Sequence, residues 1–302
     1  MNRLLLLILL IISAACETPF DPKVSPDTKV VVNSFFHPGN PLKVNLTSSN
    51  YILEPEQINP INQAIVKISN DEGTHELLLE DGKGNYASSL IPEVGKEYFL
   101  SVQVPGFPEA TSVDVIPASV PVQSFTVSTQ IASVNLDGFG YPAKLTFTDP
   151  GAVENYYGIE VVILRPGAGD LLNGKQGFLI TEDPDVGLTG NVDIQIGDSS
   201  SVEADPILFF NDIRFNGKPH TLNFFIAPIN VNLSSPIGYE IHVVLKSLSK
   251  DYYDYLQTSA FQKRIEDENT FAAPVQVANN IQNGLGIFAG FSFHTLEADL
   301  LE

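Results

Sequence analysis

The chain has 302 residues, a formal net charge of −20 at pH 7, one cysteine and no tryptophan. A chain this acidic lacks the basic surface that phosphate recognition needs, which excludes nucleic acid as a partner and disfavours docking on an anionic membrane face. The single cysteine, Cys16, excludes an intramolecular disulfide. The absence of tryptophan, the best stacking platform for sugar rings, counts against carbohydrate binding, although the ten tyrosines could substitute.

The N-terminal residues 1–15 have the pattern of a secretory signal peptide. Arg3 supplies a positive charge, the apolar run Leu4–Ile12 follows, and small residues precede Cys16. A membrane-spanning helix needs about 20 apolar residues, so this run is too short to be one. Because Ala14 and Ala15 before a cysteine match a lipobox, we expect cleavage there and acylation of Cys16, for example with palmitate. An ordinary signal peptide that ends at a structural cysteine is the alternative.

The next segment, residues 16–28, is predicted to be a lipidated tether because its prolines disfavour both helix and sheet. Residues 29–120 then predict a β-sandwich of immunoglobulin-like or transthyretin-like form. Short β-branched and alternating runs recur at a spacing of about ten residues, separated by Gly and Asn turns, as is typical of sandwiches. These runs are residues 29–36, 42–48, 64–69, 75–79, 86–90 and 97–104.

The proline-containing stretch 115–122 predicts a linker, which places the domain boundary near residue 120. Residues 121–302 predict a second β-rich domain, and the chain as a whole is therefore expected to be mostly β. One helix is expected near residues 249–266, with Ser249 as its N-cap. Asn283-Gly284 predicts a tight turn, and the glycines after it predict close backbone packing. The strands expected here are residues 124–129, 143–148, 156–164, 207–211, 220–226 and 239–246.

The chemistry of a catalytic site is missing from the sequence. The five histidines are scattered singly, without the three- or four-residue spacing of a zinc-binding helix, and no nucleophile elbow or phosphate loop is present. We therefore expect a protein that is not an enzyme and that carries no cofactor. A hydrolase whose site is assembled from distant residues is a further hypothesis. The only candidate pairs of a histidine with a nearby acid in the sequence are His220 with Asp212 and His294 with Glu297.

Acidic and aromatic residues supply the candidates for binding. Asp81–Asn85 has oxygen donors at a spacing that calcium could use, but a hairpin turn is the favoured interpretation. Asp183 and Asp185 are candidate calcium ligands, although a solvated loop without a bound ion is the favoured interpretation of this segment. Four tyrosines could form a sugar or peptide platform, although core packing with the hydroxyl groups at the rim is favoured for them. These tyrosines are Tyr156, Tyr157, Tyr252 and Tyr255.

Several residue strings together resemble the family of Bacteroidota lipoproteins catalogued as domain of unknown function 4249. The similarity covers nearly the whole mature chain, and its most specific part is the closing string from Asn280 to Phe288. The other strings lie at strand ends, in turns and on one helix face. They are Cys16-Glu17, Val30–Asn33, Gln63–Ile68, Gly84–Tyr86, Thr148–Pro150, Asn155–Tyr157, Phe209–Asp212, Phe215–Gly217, Ser247–Ser249 and Tyr252–Leu256.

This resemblance implies a lipoprotein of the outer membrane, anchored through the lipid on Cys16 and exposed at the cell surface. Members of the family are often encoded beside a TonB-dependent transporter, which implies an accessory protein that helps to capture the transporter's cargo. This leading hypothesis predicts an exposed apolar or aromatic patch on the second half of the chain. The alternative is a free-standing lipoprotein that binds glycan or matrix, with a tyrosine-lined concave site. The family supplies no catalytic motif.

Overall fold

The computed structural model describes residues 28–50, 58–134, 138–151, 153–165, 167, 171–186, 192–196, 200–204, 206–228, 232–233, 238–268 and 275–302. The signal peptide, Cys16 and the tether up to residue 27 lie outside these ranges. Strands make up 52% of the described residues and helix 8%, which confirms the mostly-β class. No helix in the described ranges is long and apolar enough to cross a membrane.

The described part of the first half of the chain contains nine strands. Most of them coincide with the alternating runs of the sequence, because one face of each strand must reach the core while the other meets water. Their bounds are β1 Val30–Phe36, β2 Lys43–Ser48, β3 Asn59–Pro60, β4 Ile65–Asn70, β5 His75–Leu77, β6 Leu79–Gly82, β7 Asn85–Ala87, β8 Glu97–Gln103 and β9 Ala110–Val115.

In the second half, the described residues add thirteen strands, a 3₁₀ turn at Leu171–Asn173 and the helix α1, Lys250–Glu268. The six strands and the helix that the sequence predicts for this half are all present. The strand bounds are β10 Val122–Ser128, β11 Ala132–Val134, β12 Gly138–Thr148, β13 Tyr156–Leu164, β14 Lys175–Gln176, β15 Leu179–Ile180, β16 Val192–Ile196, β17 Ser200–Ala204, β18 Leu208–Asn211, β19 Pro219–Ile226, β20 Glu240–Leu248, β21 Leu285–Glu297 and β22 Asp299–Leu301.

The strands form two sandwiches that share one long sheet. This ten-stranded sheet has the order β14-β13-β20-β21-β1-β2-β7-β6, with β18 beside β13 and β3 beside β2. Its β1 end packs against a four-stranded sheet of order β5-β4-β8-β9. Its β13 end packs against a six-stranded sheet of order β15-β19-β12-β10-β22, with β11 beside β12. A separate hydrophobic cluster fills each sandwich, so each has its own core.

The strand that joins the two sandwiches is β21, near the C-terminus. It pairs in parallel with β1, from Val31 opposite Leu285 to Phe36 opposite Gly290, and antiparallel with β20. Ile281 and Phe288 belong to the core of the first sandwich. A division of the chain at residue 120 is therefore incomplete, because the first sandwich includes this C-terminal segment as well as residues 29–120.

The glycines of this segment allow the close packing that the sequence predicts. Gly286 has φ +105°, and a Cβ atom there would lie 1.9 Å from the carbonyl oxygen of Val32. A Cβ on Gly290 would lie 2.5 Å from the carbonyl oxygen of Val115. Only glycine can occupy both positions while the backbones of β1, β9 and β21 approach this closely.

Helix α1 covers the outer face of the long sheet. Ser249 caps it as predicted, since its Oγ accepts a hydrogen bond from the Tyr252 N–H at 3.2 Å. Tyr252 packs against β21, and Tyr253 packs against Phe209 of β18. The helix is therefore held by aromatic side chains that include adjacent positions of its first turn, Tyr252 and Tyr253.

Candidate functional site

The outer face of the four-stranded sheet carries a groove. On β4, β8 and β9 alternate side chains enter the core, and the others point away from it. Two cross-strand rows follow from the register. One row is Ser69, Phe99 and Val113, and the neighbouring row is Lys67, Ser101 and Thr111. The first row is largely apolar, with Phe99 40% and Val113 44% exposed, whereas the second offers only polar groups.

The segment before β21 forms one wall of this groove along the edge of β9. Thr111 and Gln282 exchange both backbone hydrogen bonds, at 3.2 and 2.8 Å. The Ser112 Oγ donates to the Asn280 carbonyl at 2.9 Å, and the Asn283 side-chain amide donates to the Glu109 carbonyl at 3.1 Å. The edge of β9 is thereby already paired, and the wall is fixed by contacts that link residues far apart in the chain.

The groove has a volume of about 530 Å³, which is within the range of small-molecule sites. Among the described residues, the side chains of Lys67 and Gln103 have no hydrogen-bond or ion-pair partner, so both are available to a ligand. The lining residues are Lys67, Ser69, Phe99, Leu100, Ser101, Gln103, Glu109, Thr111, Ser112, Val113, Asn280 and Gln282.

The charge of the groove is balanced. Glu109 is the only acid in the described lining and Lys67 the only base, and the Glu109 carboxylate accepts a hydrogen bond of 2.5 Å from the Ser101 hydroxyl. A pair of carboxylates that could act as acid and base does not occur in this lining. No group of three His, Cys, Asp or Glu residues that could hold a metal ion is found in the described ranges. The described groups are suited to hydrogen bonding and stacking.

Behind the groove, Asp114 of β9 is buried where β9, β21 and the start of α1 meet. Its Oδ2 accepts hydrogen bonds from the Ser249 Oγ at 2.5 Å and the Gly290 N–H at 2.8 Å, and its Oδ1 accepts one from the Val115 N–H at 2.8 Å. Burial raises the pKa of Asp114 to about 6. The three hydrogen-bond donors lower this pKa and the nearby Asp251 raises it, but burial has the largest effect. This carboxyl group therefore joins β9 to β21 and to the start of α1, and it does not line the groove.

The structure separates the tyrosines of β13 from any shared platform. Tyr157 is 0% exposed and donates a 2.5 Å hydrogen bond to Oδ1 of the buried Asp149, and burial raises the pKa of its hydroxyl. Tyr156 points to the opposite face, where its ring lies 4.9 Å from that of Tyr253 beneath α1. The expectation that Tyr157 contributes to a binding surface is therefore wrong, because its strand is covered on that face by the six-stranded sheet.

The tyrosines of α1 also serve packing. Tyr252 is 8% exposed, and its ring lies 4.7 Å from that of Phe35 and 5.7 Å from that of Phe291. Tyr255 is partly exposed beside Phe35, at 6.0 Å between ring centroids. Phe35 and Phe293, which are 37% and 40% exposed, place some aromatic surface at this face.

The calcium candidates belong to an ion-paired turn. Oδ1 of Asp185 accepts a hydrogen bond from the Arg214 guanidinium at 3.2 Å, and its Oδ2 lies 3.9 Å from Nδ1 of His220. Asp183 accepts a hydrogen bond from the backbone N–H of Asp185 at 3.0 Å. The Arg214 guanidinium thus offsets the charge of Asp185. Asp81–Asn85 is the predicted hairpin turn, joining β6 to β7 with positive φ at Gly82, Lys83 and Gly84.

The histidine pairs do not form a catalytic arrangement. His220 stacks on Phe215 at 3.8 Å between ring centroids, and burial lowers its pKa, which disfavours the charged form. No hydrogen bond joins it to Asp212 in the described structure. Nδ1 of His294 accepts a hydrogen bond from the Val122 N–H at 3.3 Å. Each ring is thus engaged in packing or in a backbone contact.

The groove residues Phe99, Gln103, Glu109 and Gln282 are not found by the sequence argument. One signal was available on β8, where Tyr98, Leu100, Val102 and Val104 share the core face. An aromatic residue at position 99 on the opposite, solvent-facing side of that strand is the exception that marks the groove. Nothing in the local sequence marks Glu109 or Gln282 as groove residues. They come to line the same groove only because Thr111 pairs with Gln282.

Fold and groove together define the described chain as a mostly-β protein of two sandwiches with a ligand-sized groove on an open sheet face. The chain belongs to the family described as "Domain of unknown function (DUF4249)", whose model matches residues 17–297. This match confirms domain of unknown function 4249, to which the residue strings point. No curated protein matches the chain.

Proposed function

We propose that this protein is a non-enzymatic lipoprotein of the outer membrane that captures a ligand in its groove as the partner of a TonB-dependent transporter. The observation that carries the proposal is the groove itself, where unpartnered polar side chains lie beside the exposed ring of Phe99. The groove lies mainly on the first sandwich, whereas the sequence predicts an exposed patch on the second half of the chain. A site that combines apolar surface with a few polar groups is the usual form of a ligand site. Its lining offers one carboxylate, which supports binding rather than acid–base catalysis.

The anchoring part of the proposal rests on the signal peptide and on the position of Cys16. Replacing the thiol by a hydroxyl removes the acceptor of the lipid, so Cys16→Ser is expected to abolish incorporation of radiolabelled palmitate. The variant is also expected to leave the membrane fraction, since the chain then has no acyl chains to bury. Labelling and fractionation of the wild type and of Cys16→Ser in a Bacteroidota host measure both effects. Palmitate retained by Cys16→Ser would contradict the anchor.

The transporter part rests on what the family resemblance implies. The test is affinity purification of the tagged wild-type chain from gently solubilised outer membranes of its own host, followed by mass spectrometry. A TonB-dependent barrel recovered at near-stoichiometric amount supports the proposal. Recovery of the lipoprotein alone, in a detergent that preserves a known lipoprotein–barrel complex from the same membranes, would contradict it.

A second candidate is a free-standing lipoprotein that binds glycan or matrix. It is favoured by the polar row of Lys67, Ser101 and Thr111, which could bind a ligand without help from a barrel. The same purification separates the two candidates, because only the first requires the barrel. The residues of the groove are the ligand site in both.

A further inference from the structure

The groove on the four-stranded sheet combines features that select a class of ligand. Its two rows are neighbours on the same sheet face, so their side chains lie about 5 to 8 Å apart. Phe99 and Val113 present apolar surface, and beside them Ser101 and Thr111 present hydroxyl groups. A ligand that fills both rows must therefore have one apolar face and a polar edge.

The charges of the groove exclude strongly ionic ligands. Glu109 and Lys67 offset each other within the lining, and the whole chain carries a net charge of −20. A phosphorylated or polyanionic ligand would meet one cation against a repulsive background. A basic peptide would find one carboxylate, which already accepts a hydrogen bond from Ser101. Neutral hydrogen-bonding groups make up the rest of the polar lining.

The backbone geometry disfavours an extended peptide. Peptides that add to a sheet pair with an unpaired edge strand. The edge of β9 beside the groove is already bonded to Gln282 through both backbone hydrogen bonds of Thr111. A ligand in the groove must therefore be bound by side chains on the face of the sheet.

The polar side chains supply both donors and acceptors. Lys67 donates, the Gln103 amide both donates and accepts, and the carboxylate of Glu109 accepts. In Gln282 the Oε1 accepts a weak hydrogen bond of 3.4 Å from Thr111, which leaves its NH₂ group as a donor. Such a mixture suits vicinal hydroxyl groups, each of which donates and accepts at once. A sugar ring carries these at its edge and C–H groups on its face.

We propose that the groove lined by Phe99, Gln103, Glu109 and Gln282 binds a neutral saccharide, with a ring stacked on Phe99 and its hydroxyl groups bonded by the amides and the carboxylate. The inference rests on the proposed role of the groove as the ligand site and names the class of that ligand. It does not depend on the transporter. Recovery of a barrel without any saccharide binding would overturn the saccharide proposal and leave the transporter proposal standing. Saccharide binding without a barrel would do the reverse.

The test is affinity electrophoresis of the full chain, purified in detergent, through native gels that contain soluble β-glucan, α-glucan, mannan, xylan or galactan. Polygalacturonate serves as the acidic comparison. Wild type is expected to be retarded by at least one neutral polysaccharide and not by polygalacturonate. Phe99→Ala is expected to weaken this binding roughly tenfold, because it removes the stacking surface.

Two further variants complete the experiment. Phe293→Ala is the matched control, because Phe293 has the same 40% exposure on a strand but does not line the groove, and it is expected to bind like wild type. Gln103→Ala, at an exposed position without a side-chain partner in the described structure, is expected to weaken binding while the circular dichroism spectrum stays unchanged. Three results would each overturn the proposal: no retardation by any neutral polysaccharide, equal retardation of wild type and Gln103→Ala, or stronger retardation by polygalacturonate.

Discussion

Asp114→Asn is the perturbation that best tests how the two halves of the chain are joined. The Asp114 carboxyl group is 9% exposed and receives hydrogen bonds from three segments. Burial favours its protonated form, whereas the three donors favour its ionised form. Because burial has the larger effect, the pKa in the folded chain rises from 3.8 to about 6.

The magnitude follows from this difference in pKa. The raised pKa means that the folded state binds the proton more tightly than the unfolded state. The resulting stabilisation is fully present below pH 3.8 and is lost as the pH rises through about 6. Each pH unit between the two pKa values corresponds to about 1.4 kcal/mol, so ionisation of Asp114 lowers the free energy of unfolding by about 3 kcal/mol at neutral pH.

The assay is urea denaturation of the wild type and of Asp114→Asn between pH 4 and 7.5. Asparagine stays neutral, so the difference in the free energy of unfolding between the two proteins isolates this one group from the other acids. At pH 4 the variant is expected to be less stable than the wild type by about 1 to 3 kcal/mol. The NH₂ group of the asparagine cannot accept the hydrogen bonds that the carboxyl oxygen accepts, so it faces a backbone or hydroxyl donor without forming a bond.

As the pH rises to 7.5, the variant is expected to gain about 3 kcal/mol relative to the wild type. A difference that stays constant over this range would show that the pKa of Asp114 is not raised. A relative gain by the wild type with rising pH would show that the three donors outweigh burial. Either result would refute the reasoning.

The remaining predictions also concern buried contacts and are checked by urea denaturation at pH 7. Tyr157→Phe removes the hydroxyl donor of the buried Asp149 and is expected to lower the free energy of unfolding by about 2 kcal/mol, and an unchanged midpoint would contradict this. Gly286→Ala places a Cβ against the Val32 carbonyl at φ +105° and is expected to cost ~3 kcal/mol or more. Its control is Gly39→Ala, where φ is +94° but nothing lies within 4 Å, with an expected loss of about 1 kcal/mol, and equal losses would refute the packing argument.

The strand β9 shows why part of the fold could not be predicted. Its buried positions are Ala110, Ser112 and Asp114, whereas Val113 and Val115 face outward. This pattern is the reverse of an ordinary half-buried strand, so hydrophobic alternation gives no sign of it. Ser112 and Asp114 can face inward only because Asn280, Ser249 and Gly290 supply their hydrogen-bond partners.

Tyr157 has the packing role that the sequence favours, and its alternative role in a binding surface is wrong for a related reason. Sequence spacing places Tyr156 and Tyr157 on opposite faces of β13, but it does not say which sheets cover those faces. The six-stranded sheet buries Tyr157 and α1 covers Tyr156. Phe99 is one of several exposed aromatic side chains, and it lies on a face that no other sheet of the described structure covers.

By itself the sequence determined the mostly-β class, most strand positions, the capped helix after Ser249 and the need for close backbone packing at Gly286. These features depend on local patterns, which are alternation, capping and turn chemistry. Only the tertiary structure decided that β21 joins the two sandwiches, that Asp114 is buried and that the groove lies on the four-stranded sheet. Those features arise where segments distant in the chain meet, because an edge strand and a buried carboxyl group require partners that local sequence does not identify.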